Sequence, residues 1–303
     1  MNEIIKVTNL TKQFKQITAV NNLSFNVNSG DVYGFLGQNG AGKSTTIRML
    51  LTLIQPTNGS IEIFGLPLQN NRNEILKNIG AVIEKPDVYK YLSAYDNLKL
   101  FARLNGTRPT HHQLMQQLEI VGLANRAKDK VATFSQGMKQ RVGIAIALIH
   151  QPQLIILDEP TNGLDPQGIA DIRNLIIKLS KEHGKTILIS SHLLSEIEQI
   201  ATRILIIDKG KKIIEDTATA LFNPSQTIVE IETTNNEFAL QQLQKSKWLT
   251  SIQQHTTNTI TFKLDKSQIP TLNSNLVEMQ IQLISIKPRH SLEDYFLRVT
   301  TAN

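Results

Sequence analysis

The residues best suited to chemistry lie at 37–44, which read GQNGAGKS and match the phosphate-loop pattern GxxxxGK[ST] at every fixed position. An apolar stretch at 32–36 precedes the loop and a helix-like run at 45–51 follows it. Glycines allow successive backbone N–H groups to point at phosphate oxygens, and the helix adds its positive N-terminal end. Lys43 would reach the β and γ phosphates and Ser44 a magnesium ion. A plain glycine-rich turn, the alternative, gives no reason for the Lys-Ser pair.

A second group suited to chemistry is the pair Asp158 and Glu159, which directly follows the apolar segment at 154–157. Carboxylates at the end of a buried strand are costly unless a cation or a reacting group lies there. Asp158 suits the binding of magnesium, and Glu159 suits a base that orients or deprotonates an attacking water. The alternative is an acidic pair that begins a solvated loop, which the phosphate loop upstream disfavours.

A third segment, FSQGMKQR at 134–141, runs into the apolar residues 142–149. Ser135 is placed as the N-cap of a helix, and a helix N-terminus with Ser and Gly at its tip attracts anions. The segment lies too near the acidic strand in sequence to assume that both serve the same nucleotide. By itself it is a weak indication of an anion site.

Composition limits the class of protein. A chain of 303 residues, 40% apolar and 19% charged, is typical of a globular protein with one large and one smaller domain. Because the chain has no cysteine, disulfides, thiolate metal sites and cysteine nucleophiles are excluded. The N-terminus has the pattern of a strand and not of a signal sequence, and no apolar run approaches the roughly 18 to 20 residues that cross a bilayer. We therefore expect a chain that does not span a membrane.

The net charge of +6 is unevenly placed: residues 1–222 hold 25 Lys and Arg against 19 Asp and Glu, while 223–303 hold seven of each. Phosphate ligands, an anionic membrane surface or nucleic acid could each use this excess. A merely soluble basic surface would look the same. Charge alone leaves these alternatives open.

The elements that must position these groups follow from hydrophobic patterning. Continuous apolar runs bounded by polar or glycine-rich segments predict a largely parallel α/β sheet with strands buried on both faces. The runs lie at 31–36, 79–83, 153–157, 186–189 and 204–207. The turn at 208–211 predicts an antiparallel hairpin after the last run. A helical pattern with caps at Ser93 and Thr110 predicts a helical subdomain over about 85–150.

Asn223-Pro224-Ser225 predicts a linker between domains 1–222 and 223–303, because hydrophobic alternation and charge balance both change there. Beyond it we predict a strand at 227–233, a helix at 237–245, strands at 249–255 and 259–264, a helix at 269–276 and a strand at 281–286. The order βαββαβ is the ferredoxin-like arrangement. The spacing of 291–294 predicts a further, terminal helix.

Taken together and in this order, the segments resemble the ATP-binding cassette family over residues 1 to about 220. GQNGAGKS resembles its Walker A loop, FSQGMKQR its signature, IILDEP its Walker B strand, and 163–165 its D-loop. The resemblance implies a P-loop NTPase fold, α/β with a mixed, largely parallel sheet and a helical subdomain, followed by a small α+β accessory domain. It implies ATP and Mg²⁺ as cofactors. The signature of one copy would contact the γ-phosphate held by a second, so a dimer, expected to be a homodimer, is implied.

The same resemblance assigns roles to single residues. Nucleotide contacts are implied for Gly37, Gln38, Asn39, Gly40, Ala41, Gly42, Lys43, Ser44 and Thr45 of the loop, and for Phe14, Glu84, Ser135, Gln136, Gly137 and Asp165. Lys43, Glu159 and His192 would be catalytic, His192 as the switch histidine on the γ-phosphate, with an ordinary surface histidine as the alternative. Ser44, Asp158 and Glu84 would bind the metal. Phe14 would stack on adenine, with core packing as the alternative for an isolated phenylalanine.

The sequence departs from the family pattern in two places, the signature and residue 84. Gln136 and Met138 stand where glycine and glutamine are common, so side-chain contacts from Met138 are not assumed, while backbone contacts are expected to remain. Glu84 stands where glutamine usually reaches toward magnesium and the attacking water. A carboxylate about 6 Å from a phosphate charge would be repelled by about 3 kcal/mol at an effective dielectric constant near 20. We therefore expect Glu84 to be bound to metal, protonated or turned toward a partner, with a solvated loop glutamate as the alternative.

Glu84, the form of the signature and the ending 290–296 resemble the exporter subfamily of bacitracin-resistance and lantibiotic-immunity ATPases. The resemblance implies an ATP hydrolase at the cytoplasmic face of the membrane, peripheral, with separate multi-span permease subunits docked near Glu84 and the helical insert. No nucleic acid is expected. The alternative is a soluble ATPase factor acting on nucleic acid or ribosomes, which commonly carries two cassettes or a long coiled-coil insert, and neither pattern is visible in the sequence.

Overall fold

The computed structural model describes residues 2–222 and 227–290, without the side chains of residues 289 and 290. The chain forms two compact units, Met1–Thr217 and Ala218–Asn303. The boundary predicted between 222 and 223 falls slightly later than this division. The first unit contains two sheets and the second unit one, and each unit has its own apolar core.

The first unit is built from ten strands and seven α-helices within the described residues. They are β1 Glu3–Phe14, β2 Ile17–Asn28, β3 Val32–Leu36, α1 Lys43–Leu50, β4 Asn58–Ile63, β5 Leu66–Pro67, α2 Arg72–Leu76, β6 Ile79–Ile83, α3 Ala94–Leu104, α4 His111–Ile120, α5 Gln136–Ala147, β7 Leu154–Asp158, α6 Pro166–Lys181, β8 Thr186–Ser191, α7 Leu194–Glu198, β9 Arg203–Asp208 and β10 Lys211–Thr217.

Six of these strands form one sheet in the order β10-β9-β3-β8-β7-β6. Pairing is parallel from β6 to β9, and β9 and β10 form an antiparallel hairpin. Every residue of β3, β7 and β8 is buried. Burial on both faces explains why their sequences are continuous apolar runs. The five predicted strands and the hairpin are confirmed.

A second sheet has the order β2-β1-β4-β5 and is antiparallel throughout. The N-terminal segment was predicted to be a strand, but this separate sheet was not predicted. Its two long strands, β1 and β2, alternate imperfectly because their pairing contains register shifts. Such irregularities interrupt the period of two that marks a half-buried strand in sequence.

The predicted helical pattern corresponds to α3, α4 and α5. The Ser93 hydroxyl accepts a hydrogen bond from the Asp96 N–H at 3.0 Å, which confirms the first predicted cap. Thr110 forms a complete capping box with Gln113 at the start of α4. Helix starts are set by local hydrogen bonds of this kind, so the sequence is informative about them.

The second unit contains α8 Ala218–Leu221, β11 Thr227–Thr233, α9 Asn236–Leu243, β12 Ile252–His255, β13 Thr259–Leu264, α10 Ile269–Glu278 and β14 Leu283–His290. Its antiparallel sheet has the order β12-β13-β11-β14, the ferredoxin-like order. The strand predicted from 249 begins at Ile252 because Leu249–Ser251 forms a 3-10 turn. The helix predicted from 291 lies outside the described residues.

Among the residues that the structure describes, no helix combines the length and the apolar character that crossing a bilayer requires.

Candidate active site

The phosphate loop lies between the end of β3 and the start of α1. Gly42 caps α1 with a φ of 107°, a left-handed conformation that side chains rarely adopt. A Cβ there would lie 2.6 Å from the Ala19 carbonyl oxygen, so a larger residue would displace the loop. The glycines thus permit the tight turn that exposes the first N–H groups of α1 to a bound anion.

Lys43 is nearly buried, with 5% of its surface exposed. Its ammonium group donates to the carbonyl oxygens of Gly37 at 2.6 Å and Gln38 at 3.1 Å. The lysine therefore folds back over the loop, where a phosphate group would compete for the same donor hydrogens.

Asp158 ends β7 and is fully buried. Its Oδ1 accepts from the Ser190 hydroxyl at 2.6 Å, while its Oδ2 has no hydrogen-bond partner. A buried carboxylate oxygen without a partner is costly, and a hard cation that prefers oxygen ligands would satisfy it. The described residues hold no cluster of three or more acidic, His or Cys side chains suited to a metal. A magnesium ion here would therefore take further ligands from Ser44 and from phosphate, which is how protein-bound magnesium is usually held.

Glu159 lies between two basic side chains. One carboxylate oxygen is 3.1 Å from the Lys43 ammonium nitrogen, and the other is 2.7 Å from His192 Nδ1. Its backbone N–H donates to the Ser190 hydroxyl at 2.9 Å, and its φ of 51° is left-handed. A non-glycine residue in this conformation costs about 1 to 3 kcal/mol and is held by its surroundings. The structure thus fixes the direction of this carboxylate.

The three predicted catalytic residues, Lys43, Glu159 and His192, therefore meet, although they come from three elements. Glu159 follows β7, His192 follows β8, and Lys43 follows the loop after β3. These strands are neighbours in the parallel sheet, so their carboxyl ends open onto one edge, where ligands of such sheets bind.

A cavity of about 160 Å³ lies over the loop. Predicted residues around it are Gln38, Asn39, Gly40, Gly42, Lys43, Ser44, Thr45 and Glu159, and unpredicted ones are Ala19 and Asn162. Larger cavities occur elsewhere on the described residues, among them one of about 520 Å³ beside Arg72. Chemistry favours the smaller cavity, because it contains the loop amides, a lysine and a fixed carboxylate.

The signature residues are exposed at the tip of a helix. The Ser135 hydroxyl accepts from the Met138 N–H at 3.2 Å as the N-cap of α5, and Ser135 and Gln136 face solvent while Gly137 is buried. Asp165 likewise caps α6 by accepting from the Gly168 N–H at 3.1 Å. These residues do not line the loop cavity of their own chain. Their predicted contact with nucleotide thus needs a second chain.

Phe14 lies at the end of β1 with 45% of its surface exposed, and the Lys12 ammonium lies 4.8 Å from the centre of its ring. The alternative of core packing is therefore wrong. An exposed ring is able to stack on a base, and this role remains a prediction.

Glu84 follows β6 in a left-handed conformation, with 63% of its side chain exposed. Its carboxylate lies 2.5 Å from the Arg48 guanidinium at the end of α1 and does not line the loop cavity. An arginine of the same chain thus compensates the negative charge of Glu84, an ion pair that the sequence did not predict. The high exposure agrees with the alternative of a solvated loop glutamate, and contact of Glu84 with metal remains a prediction.

We expect Glu84→Gln to change the magnesium dependence of ATP hydrolysis, and Arg48→Gln to raise the KM for ATP about fivefold. Without Arg48, the carboxylate of Glu84 would repel the phosphates of ATP. Exposure to solvent reduces this repulsion to about 1 kcal/mol, which corresponds to the fivefold change in KM. The double variant should recover the KM of Glu84→Gln alone, as measured by steady-state hydrolysis across a magnesium titration. Glu74→Gln, an exposed glutamate on α2, is the matched control. If the effects of the two substitutions simply added in the double variant, or if Glu84→Gln had the kinetics of wild type, the coupling between Glu84 and Arg48 would be contradicted.

Sequence reasoning missed two polar residues of the site, Ser190 and Asn162. Ser190 links the two carboxylate residues, since its hydroxyl donates to Asp158 and accepts from the Glu159 N–H. A signal was present, because Ser190-Ser191 places hydroxyls at the end of a buried apolar strand, directly before His192. Buried hydroxyls at such a position need partners.

Comparisons with known proteins found relatives of this chain. A family model described as ABC transporter matches residues 20–162. The chain is 44% identical over 300 residues to the bacitracin transport ATP-binding protein BcrA of Bacillus licheniformis, covering 99% of this chain and 98% of that protein. It is 47% identical over 212 residues to the lantibiotic transport ATP-binding protein SrtF of Streptococcus pyogenes, covering 70% and 90%. The dimeric post-hydrolysis structure of the ATP-binding cassette MJ0796 bound to ADP and Pi superimposes with a TM-score of 0.63 at 28% identity, covering 71% and 98%.

Proposed function

This chain belongs to the ATP-binding cassette (ABC) transporter family, and from that premise we propose that it is the ATP-hydrolysing subunit of an exporter for a peptide antibiotic or another drug. The cargo class is inferred from relatives whose names refer to bacitracin and lantibiotic transport. The bacitracin relative aligns with nearly the whole chain, including the second unit, which we propose to be an accessory domain that supports the dimer.

The observation that carries the ATPase assignment is the position of Glu159 beside the phosphate loop. Its carboxylate is held between Lys43 and His192, and it lines the same cavity as the loop residues. A general base must lie within hydrogen-bonding reach of the water that it activates, and its orientation must be fixed. The backbone conformation of Glu159 and its two partners satisfy the second requirement, and its place on the loop cavity supports the first.

ATP binding should rearrange these contacts. Lys43 would exchange the carbonyl oxygens of Gly37 and Gln38 for β- and γ-phosphate oxygens, because a phosphate is a stronger acceptor than a peptide carbonyl. Release of Lys43 from Glu159 leaves that carboxylate free to accept a proton from the attacking water. His192 would keep it oriented and face the γ-phosphate. Magnesium, when bound through Ser44 and Asp158, would neutralise charge on the phosphates.

The exposed signature supports a dimer in which each ATP lies between the loop of one copy and Ser135 of the other. Closure of the dimer on two ATP molecules would perform the mechanical work, and hydrolysis would allow it to reopen. Since the described residues contain no membrane-crossing helix, the translocation path would belong to separate multi-span permease subunits. We place the protein peripherally at the cytoplasmic face of the membrane.

Purification from membranes in mild detergent should co-isolate a multi-span membrane protein with the affinity-tagged chain, and mass spectrometry should identify it. Co-isolation with RNA, DNA or ribosomes, and no membrane protein, would instead support the alternative of a soluble ATPase factor. A detergent-free soluble fraction prepared in parallel is the control for contaminants.

A further inference from the structure

The helical subdomain carries a basic cavity that the proposed ATPase cycle does not use. It measures about 650 Å³ and is lined by Lys99, Arg103 and Arg108 together with Gly106, Thr107 and Pro109. Lys99 and Arg103 lie one turn apart on α3, so their side chains share one face of the helix. The cavity therefore concentrates three positive charges on a concave surface.

The connection after α3 holds Arg108 in place. Gly106 adopts a φ of 74°, and both the N–H and the hydroxyl of Thr107 donate to the Ala102 carbonyl oxygen at 2.9 Å. These bonds fix the turn between α3 and the next helix. The backbone that carries the third cation, Arg108, is thus held by hydrogen bonds to the end of α3.

No carboxylate lines this cavity, and none of its three cations forms an ion pair within the described part of the chain. The surrounding segment 85–112 is also basic. It contains Lys85, Lys90, Lys99, Arg103 and Arg108 against Asp87 and Asp96. Unpaired cations gathered in a concavity attract a polyvalent anion, and the planar guanidinium groups match the oxygens of a phosphate.

Apolar side chains are also exposed on this subdomain. Leu104 follows Arg103 directly and is 68% exposed, and Tyr91 is 68% exposed. The Tyr91 ring lies 5.8 Å from the Tyr89 ring, which lies 6.1 Å from Phe101, one turn before Leu104 on α3. An exposed leucine that directly follows an arginine on a basic helix is the combination found where proteins contact a bilayer interface, and the exposed Tyr91 belongs to the same subdomain. A site for free phosphate would have no use for the apolar side chains.

From this juxtaposition we infer that the cavity of Lys99, Arg103 and Arg108 binds the phosphate headgroup of an anionic phospholipid, with Leu104 inserted toward the acyl chains. The inference rests on the proposed function for the protein's place at the membrane. The contact would orient the helical subdomain toward the bilayer and strengthen attachment beyond what the permease alone provides.

The test is co-sedimentation of the full chain, without permease, with vesicles of phosphatidylcholine alone or with about one third phosphatidylglycerol. We expect binding to the anionic vesicles only, and its loss in high salt. Lys99→Gln/Arg103→Gln/Arg108→Gln should weaken it about 100-fold, since each basic residue near an anionic surface contributes about fivefold. The matched control is Lys77→Gln/Lys181→Gln/Lys266→Gln, three exposed lysines elsewhere in the chain, which should change binding less than about threefold.

Leu104→Ser separates lipid from soluble phosphate. It should weaken vesicle binding about fivefold through lost apolar burial, and inorganic phosphate at matched ionic strength should not release the protein. If inorganic phosphate released the protein from the vesicles and Leu104→Ser bound them as tightly as wild type does, the lipid assignment would be wrong. Equal binding of both triple variants to the anionic vesicles would overturn the site. ATP hydrolysis measured on the same preparations should stay at the wild-type rate, which distinguishes failure of this inference from failure of the ATPase assignment.

Discussion

Glu159→Gln is expected to reduce the rate of ATP hydrolysis by about 10² to 10⁴, the usual contribution of a general base. The amide has nearly the shape of the carboxylate, so the loop cavity should keep its form. It cannot accept a proton from water, and this is the step that should fail. ATP binding should persist or tighten, because Lys43 no longer forms an ion pair with Glu159 at 3.1 Å and is free for phosphate.

Single-turnover hydrolysis and binding of a fluorescent ATP analogue would separate the two effects. The variant should also accumulate as a closed dimer with ATP, visible by size-exclusion chromatography with light scattering. Glu182→Gln, an exposed glutamate at the end of α6, is the control and should hydrolyse ATP at the wild-type rate. Rapid ATP hydrolysis by Glu159→Gln would show that Glu159 is not the general base, and His192 would then be the residue to test.

A 1:1 mixture of Lys43→Ala and Ser135→Arg should recover activity that neither variant has alone. In a mixed dimer one site combines both substitutions, while the other combines an intact loop with an intact signature. With random pairing and independent sites, about one quarter of the wild-type sites are restored in such a two-fold assembly. The prediction follows from the exposed position of Ser135, which does not line the loop cavity of its own chain.

The control mixture is Lys43→Ala with Glu159→Gln. Both residues line the same cavity of one chain, so every site of a mixed dimer keeps one defect and no activity should return. Because Ser135→Arg removes an N-cap that is worth about 1 kcal/mol, its thermal unfolding should be recorded to show that the variant is folded. If the first mixture were as inactive as its components while wild type hydrolysed ATP as a monomer, the shared site would be wrong.

Whether a structural feature can be predicted from sequence depends on how local its cause is. The phosphate loop was predictable because its backbone must turn tightly, and Gly42 in a left-handed conformation is a constraint that one sequence position can express. The caps at Ser93, Thr110 and Ser135 were predictable for the same reason, since cap and partner lie three residues apart. Strands of the parallel sheet were evident because burial on both faces leaves no polar positions.

Features that depend on contacts between residues distant in sequence could not be predicted in this way. Ser190 was missed because its bridge between Asp158 and the Glu159 backbone exists only when β7 and β8 are adjacent. The ion pair between Glu84 and Arg48 was not predicted, because Arg48 lies on α1, 36 residues earlier in the sequence. The sheet containing β1 was not predicted as a separate layer, since register shifts obscure its alternation.

The sequence by itself determined the chemistry of this protein: a loop that binds phosphates, carboxylates at the end of a buried strand, and a second domain of βαββαβ order. These follow from backbone geometry and burial pattern, which act over a few neighbouring residues. Tertiary structure alone decided that Glu159 lies between Lys43 and His192, that Glu84 pairs with Arg48, and that three cations share a cavity on the helical subdomain. Hydrogen bonds and ion pairs act over about 3 Å, so their partners are settled only when the packed elements bring distant side chains together.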